Sequence, residues 1–211
     1  MSTLILDIET VGFDTANTDS LSPYKGQIVS LGMYDVEREL GVVYFVAASE
    51  ADSFTDDSYS YKARSEKQLL EDFWASAAEY DIFVTFNGRA FDVPFLYIRS
   101  IALGVTPTVE IARQRYVTKQ AAPYHVDIFD EFTFHGSVSK KPSLSVLCDA
   151  LGVDNPKLHM SGEDITEAFL SKKITDIARY NARDVTAIYK LYQQWLKSLA
   201  PKSFVNSLEL L

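Results

Sequence analysis

Thr3-Leu4-Ile5-Leu6-Asp7-Ile8-Glu9 is the stretch on which the reading of this chain turns. Thr3 to Ile8 reads as an apolar strand that ends among carboxylates. Residues two apart on a strand point to the same face, so Asp7 and Glu9 project together while Ile8 enters the opposite layer. The strand reads as central and buried, where two adjacent carboxylates repel each other. A hard cation between them makes the arrangement tolerable. Asp-x-Glu alone is a weak signal, because such tripeptides arise often by chance and serve as polar strand exits.

Outward from this strand, Gln27 to Tyr34 and Gly41 to Ala47 read as two further strands rich in Val, Ile, Leu, Tyr and Phe. Val11 to Gly26 reads as a loop dominated by Gly, Asp, Asn, Ser and Pro, and Ser49 to Ser60 as a mobile surface loop. A helix starts after Ser65, its candidate N-cap, with Leu69, Leu70, Phe73, Trp74 and Ala77 at helical spacing. Asp81 to Phe86 is the next strand, and Val93 to Leu103 a helix with Pro94 in its first turn and Gly104 at its stop. Ile111 to Lys119 reads as a basic helix, and Tyr124 to Ile128 as the last strand. Helices follow over Pro142 to Leu151, Glu163 to Ser171 and Ile174 to Leu199. The last carries a buried stripe of Ile177, Val185, Ile188, Leu191 and Trp195 and stops before Pro201. The expected architecture is α/β: one domain over residues 1–211, with a mixed five-stranded sheet flanked by helices.

Composition narrows the class. A hydrophobic content of 47% supports a real core in 211 residues, and no apolar run approaches the ~20 residues of a membrane span. Met1-Ser2-Thr3 runs straight into the first strand without the basic region of a leader. Cys148 is the only cysteine, so no intrachain disulfide forms and a cytoplasmic location is expected. It sits among Leu144, Leu147 and Leu151, as a core thiol does. The formal charge of −9, from 29 acidic and 20 basic residues, argues against a general nucleic-acid binder with a basic face. It does not exclude an enzyme that meets phosphate through bound divalent cations, which reverse the local sign.

Two further clusters carry chemistry. In Phe86-Asn87-Gly88-Arg89-Ala90-Phe91-Asp92 a strand ends, Asn87-Gly88 turns, and Asp92 lands at the start of a helix. Taken alone, Asp92 reads as a helix N-cap and Asn87 as a turn residue. In Tyr180-Asn181-Ala182-Arg183-Asp184, Tyr180 and Asp184 share a helical face that borders the buried stripe. An Asp there is costly unless it is paired or metal-bound.

Together, Asp-x-Glu, Asn-x-x-x-Phe-Asp and Tyr-x-x-x-Asp, in that order, resemble the three exonuclease motifs of the DEDD superfamily, in its tyrosine branch. The stretches Asp7 to Val11, Thr85 to Arg89, His125 to Asp127 and Tyr180 to Val185 resemble predicted stand-alone exonucleases related to the proofreading domains of family-B DNA polymerases. The resemblance implies a ribonuclease H-like fold and two Mg²⁺ or Mn²⁺ ions ~3.5–4 Å apart. Asp7 would bridge the ions, Glu9 and Asp184 would complete the first site, Asp92 would serve the second, and Tyr180 would orient the attacking water. Phe13, Phe91 and Asn87 would contact the terminal nucleotide, although a Phe at position 91 more commonly packs between sheet and helix. The implied partner is a single-stranded DNA or RNA 3′ end, DNA favoured, from which nucleoside 5′-monophosphates are released. An exoribonuclease and a non-cleaving nucleic-acid-binding module are the alternatives.

Other residues receive plainer readings. Lys172 and Lys173, or Arg113, Arg115 and Lys119, offer cations for phosphates but more commonly form solvated surfaces. His125 and Asp127 flank the site on a strand, with Asp127 capping or bonding locally. His135 and His159 have no catalytic assignment.

Overall fold

Strand pairing organises the chain around a sheet in which the strand quoted above is interior and buried along nearly its whole length. The computed structural model describes residues 1–14, 19–56, 59–112, 124–156 and 162–209. The strands are β1 (Thr3–Gly12), β2 (Gly26–Asp35), β3 (Leu40–Val46), β4 (Phe54–Thr55), β5 (Tyr59–Arg64), β6 (Ile82–Thr85) and β7 (Tyr124–Asp127). They lie in the order β4-β5-β3-β2-β1-β6-β7. β1, β2 and β3 run antiparallel in turn, β5 is parallel to β3, β4 is antiparallel to β5, and β6 and β7 are parallel to β1.

Among the described residues the sheet has seven strands in place of the expected five. The two unexpected strands are β4 and β5, and the longer, Tyr59–Arg64, buries Tyr59, Tyr61 and Ala63 while Ser60, Lys62 and Arg64 stay half-exposed. That is a period of two, masked in the sequence by its serine and two basic residues. Gly41 lies opposite Tyr59, and a Cβ there would fall 2.3 Å from the Tyr59 ring, so glycine admits the ring over β3. The stretch read as a mobile loop from Ser49 to Ser60 instead carries a 3-10 turn (Glu50–Asp52), β4 and the start of β5; residues 57–58 lie outside the described set. Phe54 of β4 stacks on Tyr61, with centroids 4.3 Å apart.

β1 also continues past its expected end, taking Val11 and Gly12 out of the loop read from Val11 to Gly26. Its pairing with β2 slips between Glu9, opposite Ser30, and Thr10, opposite Ile28, leaving Val29 as the extra residue of a bulge. Bulges bend a strand and re-aim its side chains. Here the bulge sits beside Glu9.

The helices are α1 (Glu66–Ala77), α2 (Asp92–Leu103), α3 (Ile128–Phe132), α4 (Leu144–Leu151), α5 (Ile165–Leu170), α6 (Ile174–Ser198) and α7 (Lys202–Glu209). Ser65 and Gln68 close a capping box on α1, and Gly104 and Gly152 end α2 and α4 at φ 68° and 67°. Ile128, read as the end of a strand, is instead the first residue of α3, because the Asp127 side chain accepts the Phe129 N–H and caps a helix there. Pro201 follows the end of α6 as expected but precedes a further helix, α7. Most of the basic helix expected from Ile111 to Lys119 lies outside the described residues, as does His159.

Leu4, Leu6 and Ile8 pack on one face of the sheet with Leu69, Phe73 and Trp74 of α1 and Phe95 and Leu96 of α2. Ile5 packs on the other face with Val185, Ile188 and Leu191 of α6. Each such side chain contributes ~1.5–3 kcal/mol by leaving water, and the alternation aims Asp7 and Glu9 at α6. Among the described residues, no helix is long and apolar enough to cross a membrane.

Candidate active site

Asp7 and Glu9 on β1 meet Asp184 on α6, and one carboxylate oxygen from each lies within 4.8 Å of the others. Glu9 and Asp184 are 9% and 7% exposed. Asp7 keeps part of its surface open, yet its pKa is raised well above the ordinary carboxylate value. Burial is the largest cause, followed by the charges of Asp92, Asp184 and Glu9, with a hydrogen bond from Asn181 opposing them. Like charges concentrated in a poorly solvated pocket disfavour ionisation in this way.

Asp92 is not one of the three converging carboxylates. It is 2% exposed, begins α2, and accepts the Ile8 N–H at 3.0 Å, which ties the helix to β1 one residue from Asp7. Phe91, not Asp92, occupies the N-cap position. Burial pushes the Asp92 pKa up to about 7; the charge of Asp127 adds to this, and the N–H groups of Asp92 and Ile8 oppose it.

Tyr180 is 2% exposed and packs with Val11, Val29, Ile165 and Ile177. Its pKa is pushed far up, first by burial, then by Asp184, Glu9 and Asp7, and by its hydrogen bond to Asp184. The hydroxyl therefore stays protonated beside the carboxylates and remains a donor.

The turn before Asp92 is built for close packing. Asn87 takes φ 61°, a conformation that Asn tolerates better than other side chains. A Cβ on Gly88 would fall 2.4 Å from the Thr85 side chain. Asp127 holds this turn by accepting the N–H groups of Asn87 at 2.8 Å and Arg89 at 3.0 Å, while capping α3 through Phe129. Burial raises its pKa to about 6. His125 shares a 2.8 Å hydrogen bond with Thr85, and burial followed by the Arg89 charge pushes its pKa down to about 3. It is a neutral, structural imidazole. The local bonding expected of Asp127 is therefore seen, and neither residue joins the converging carboxylates.

Phe13 is 53% exposed beyond the end of β1, with the Arg99 guanidinium 4.8 Å from its ring centroid. Phe91 is half-buried against Phe95, their centroids 5.0 Å apart. Lys172 and Lys173 are exposed in the turn before α6. His135 is exposed, and burial raises the Cys148 pKa to about 11, as fits a core thiol.

The sequence reading passed over Asn181, a fully buried amide that donates to the Asp7 carboxylate at 2.7 Å and accepts from Ser30 at 2.9 Å. Its signal was present: Asn181 falls four residues from both Ile177 and Val185, so a polar side chain interrupts the buried stripe. Buried polar residues are the informative exceptions in such patterns.

With this geometry in hand, residues 37–209 match a family described as predicted 3′–5′ exonucleases related to the exonuclease domain of PolB. The chain belongs to this family. The match takes in Asp92, Tyr180 and Asp184 and begins after the strand that carries Asp7 and Glu9. Relatives of this chain include DNA polymerase 1 of Sulfolobus acidocaldarius, 31% identical over 136 residues, and DNA polymerase 1 of Sulfurisphaera ohwakuensis, 29% identical over 139 residues. These alignments cover 60% and 61% of the chain and 15% of each polymerase. The family B DNA polymerase of Pyrobaculum calidifontis has a similar fold, with a TM-score of 0.65 at 20% identity over 93% of this chain and 24% of that one. The fold is thus the mixed α/β arrangement of a PolB-type exonuclease domain, which is ribonuclease H-like.

Proposed function

We propose that this chain is a metal-dependent 3′–5′ exonuclease of the DEDD tyrosine branch, acting as a single domain. Its substrate is the single-stranded 3′ end of a nucleic acid, DNA in preference to RNA, and its products are nucleoside 5′-monophosphates. The observation that carries the proposal is the convergence of Asp7, Glu9 and Asp184 beside a buried, protonated Tyr180.

The donor set fits Mg²⁺ or Mn²⁺. Carboxylate oxygens are the hard ligands these ions take, and a cation would relieve both the burial and the mutual repulsion that raise the Asp7 pKa. Asp7 would serve both ions, Glu9 and Asp184 the first, and Asp92 the second. When bound, the ions neutralise phosphate charge and make a water more acidic. Asp184 holds the Tyr180 hydroxyl by a hydrogen bond, and that hydroxyl orients the attacking water. Phe13, exposed at the strand exit, offers a face to the terminal base. Asn87 and Phe91 border the terminal nucleotide from the turn before α2. The preference for DNA draws support from the similarity to DNA polymerases.

The test is incubation with 5′-labelled single-stranded DNA and RNA in Mg²⁺, Mn²⁺ or EDTA. The expected result is a ladder shortening from the 3′ end of DNA, absent in EDTA. Faster shortening of RNA would make it an exoribonuclease, and no cleavage of either polymer with either metal would overturn the enzymatic reading.

A further inference from the structure

A neutral amide lies between the two elements that carry the carboxylates. Asn181 of α6 is fully buried, and its Nδ2 donates to Asp7 Oδ2 at 2.7 Å and to the Asp7 carbonyl at 3.2 Å. Its Oδ1 accepts from Ser30 Oγ at 2.9 Å, across on β2. The amide has only one workable orientation: turned over, its oxygen would face the Asp7 carboxylate and its NH₂ would replace the acceptor that Ser30 uses. Gly32 lies directly opposite Asp7 in the β1–β2 register. A Cβ there would fall 3.0 Å from Asn181 Oδ1 and 2.7 Å from Val185 Cγ2, so the bare glycine makes the slot that the amide fills.

We propose that Asn181, oriented by Ser30, is a positioning residue that fixes the rotamer of Asp7 and turns its second oxygen toward a divalent cation. This inference rests on reading the carboxylates as a metal site. Without this donor, Asp7 would rotate away from Glu9, Asp184 and Asp92, because the Asn181 hydrogen bond is what opposes their repulsion. A neutral donor suits the task better than Lys or Arg, since a positive charge at that point would compete with the cation. Partners that hold a metal ligand from behind commonly matter nearly as much as the ligand itself.

Calorimetric titration of the full chain with Mn²⁺, without nucleic acid, tests this. It compares the wild type with Asn181→Leu, Ser30→Ala and the control Asp7→Asn. Asn181→Leu is expected to weaken Mn²⁺ binding ~10–100-fold, and Ser30→Ala, which loses one hydrogen bond, about two- to tenfold. The stabilisation that Mn²⁺ confers on melting should shrink in the same order. A merely structural role would lower the melting temperature equally with and without Mn²⁺ and leave the affinity alone. If Asn181→Leu does not fold, Ser30→Ala decides. Wild-type affinity in the folded variants overturns this inference and leaves the metal site standing. A wild type that binds Mn²⁺ no better than Asp7→Asn overturns the metal site and this inference with it.

Discussion

Asp92→Asn should make the metal-free protein more stable, by an amount that depends on pH. The substitution keeps an oxygen for the Ile8 N–H, now bonded at 3.0 Å, and removes a charge that burial disfavours. A carboxyl with a raised folded pKa binds its proton more tightly when folded. Its favourable contribution is complete below the unfolded value and is lost as pH rises through about 7. Against an unfolded pKa of ~3.9, holding this carboxyl in the fold costs ~4 kcal/mol at pH 8, mainly as a buried charge, and ~1.5 kcal/mol at pH 5, as proton uptake on folding. Urea unfolding in EDTA should therefore show Asp92→Asn more stable than wild type by about those amounts at the two pH values. Neutralising Asp92 also relieves Asp7, which has the same sign. His125, with its pKa near 3, loses stability to acid as pH falls below its unfolded value of ~6.5, but it does so in both proteins and cancels from the difference. A gain that is absent, or equal at both pH values, would refute the claim that an uncompensated buried charge is stored at this site.

Four further outcomes follow from the same geometry. Asp7→Ala should abolish cleavage while the protein stays folded. Saturating Mn²⁺ at ~100 times its dissociation constant should stabilise the wild type by ~2.7 kcal/mol and this variant far less; equal shifts on thermal melting would place the ions elsewhere. Tyr180→Phe should slow turnover ~10²–10⁴-fold with metal affinity near wild type, whereas Asp184→Asn should lose affinity by calorimetry, and an equal loss in both would remove the water-orienting role. Gly32→Ala should cost ~1–3 kcal/mol by overpacking, since its Cβ would press on Val185 and Asn181; unchanged urea stability would show that the slot has room to spare.

The sequence by itself determined what repeats locally or is carried in a short string. The apolar run from Thr3 to Ile8 implied a strand, whose geometry puts Asp7 and Glu9 on one face, and a 3.6-residue stripe implied the long helix bearing Tyr180 and Asp184. Both depend on the chain's own geometry, so no partner was needed to see them. The order of the three motifs pointed to the family that the match over residues 37–209 shows. Tertiary structure alone decided the rest. Tyr59–Arg64 becomes a strand because β3 offers Gly41 for the Tyr59 ring to cover, and a half-polar hexapeptide does not announce that neighbour. The bulge at Val29 is a mismatch between two strands and belongs to neither alone. Asp92 resembles a helix cap until its oxygen is found on the Ile8 N–H, 84 residues away in sequence. Asn181 was legible only as a polar interruption in an apolar stripe. Its hydrogen bond to Asp7 spans 174 residues, a distance at which spacing carries no information and only packing brings donor to acceptor.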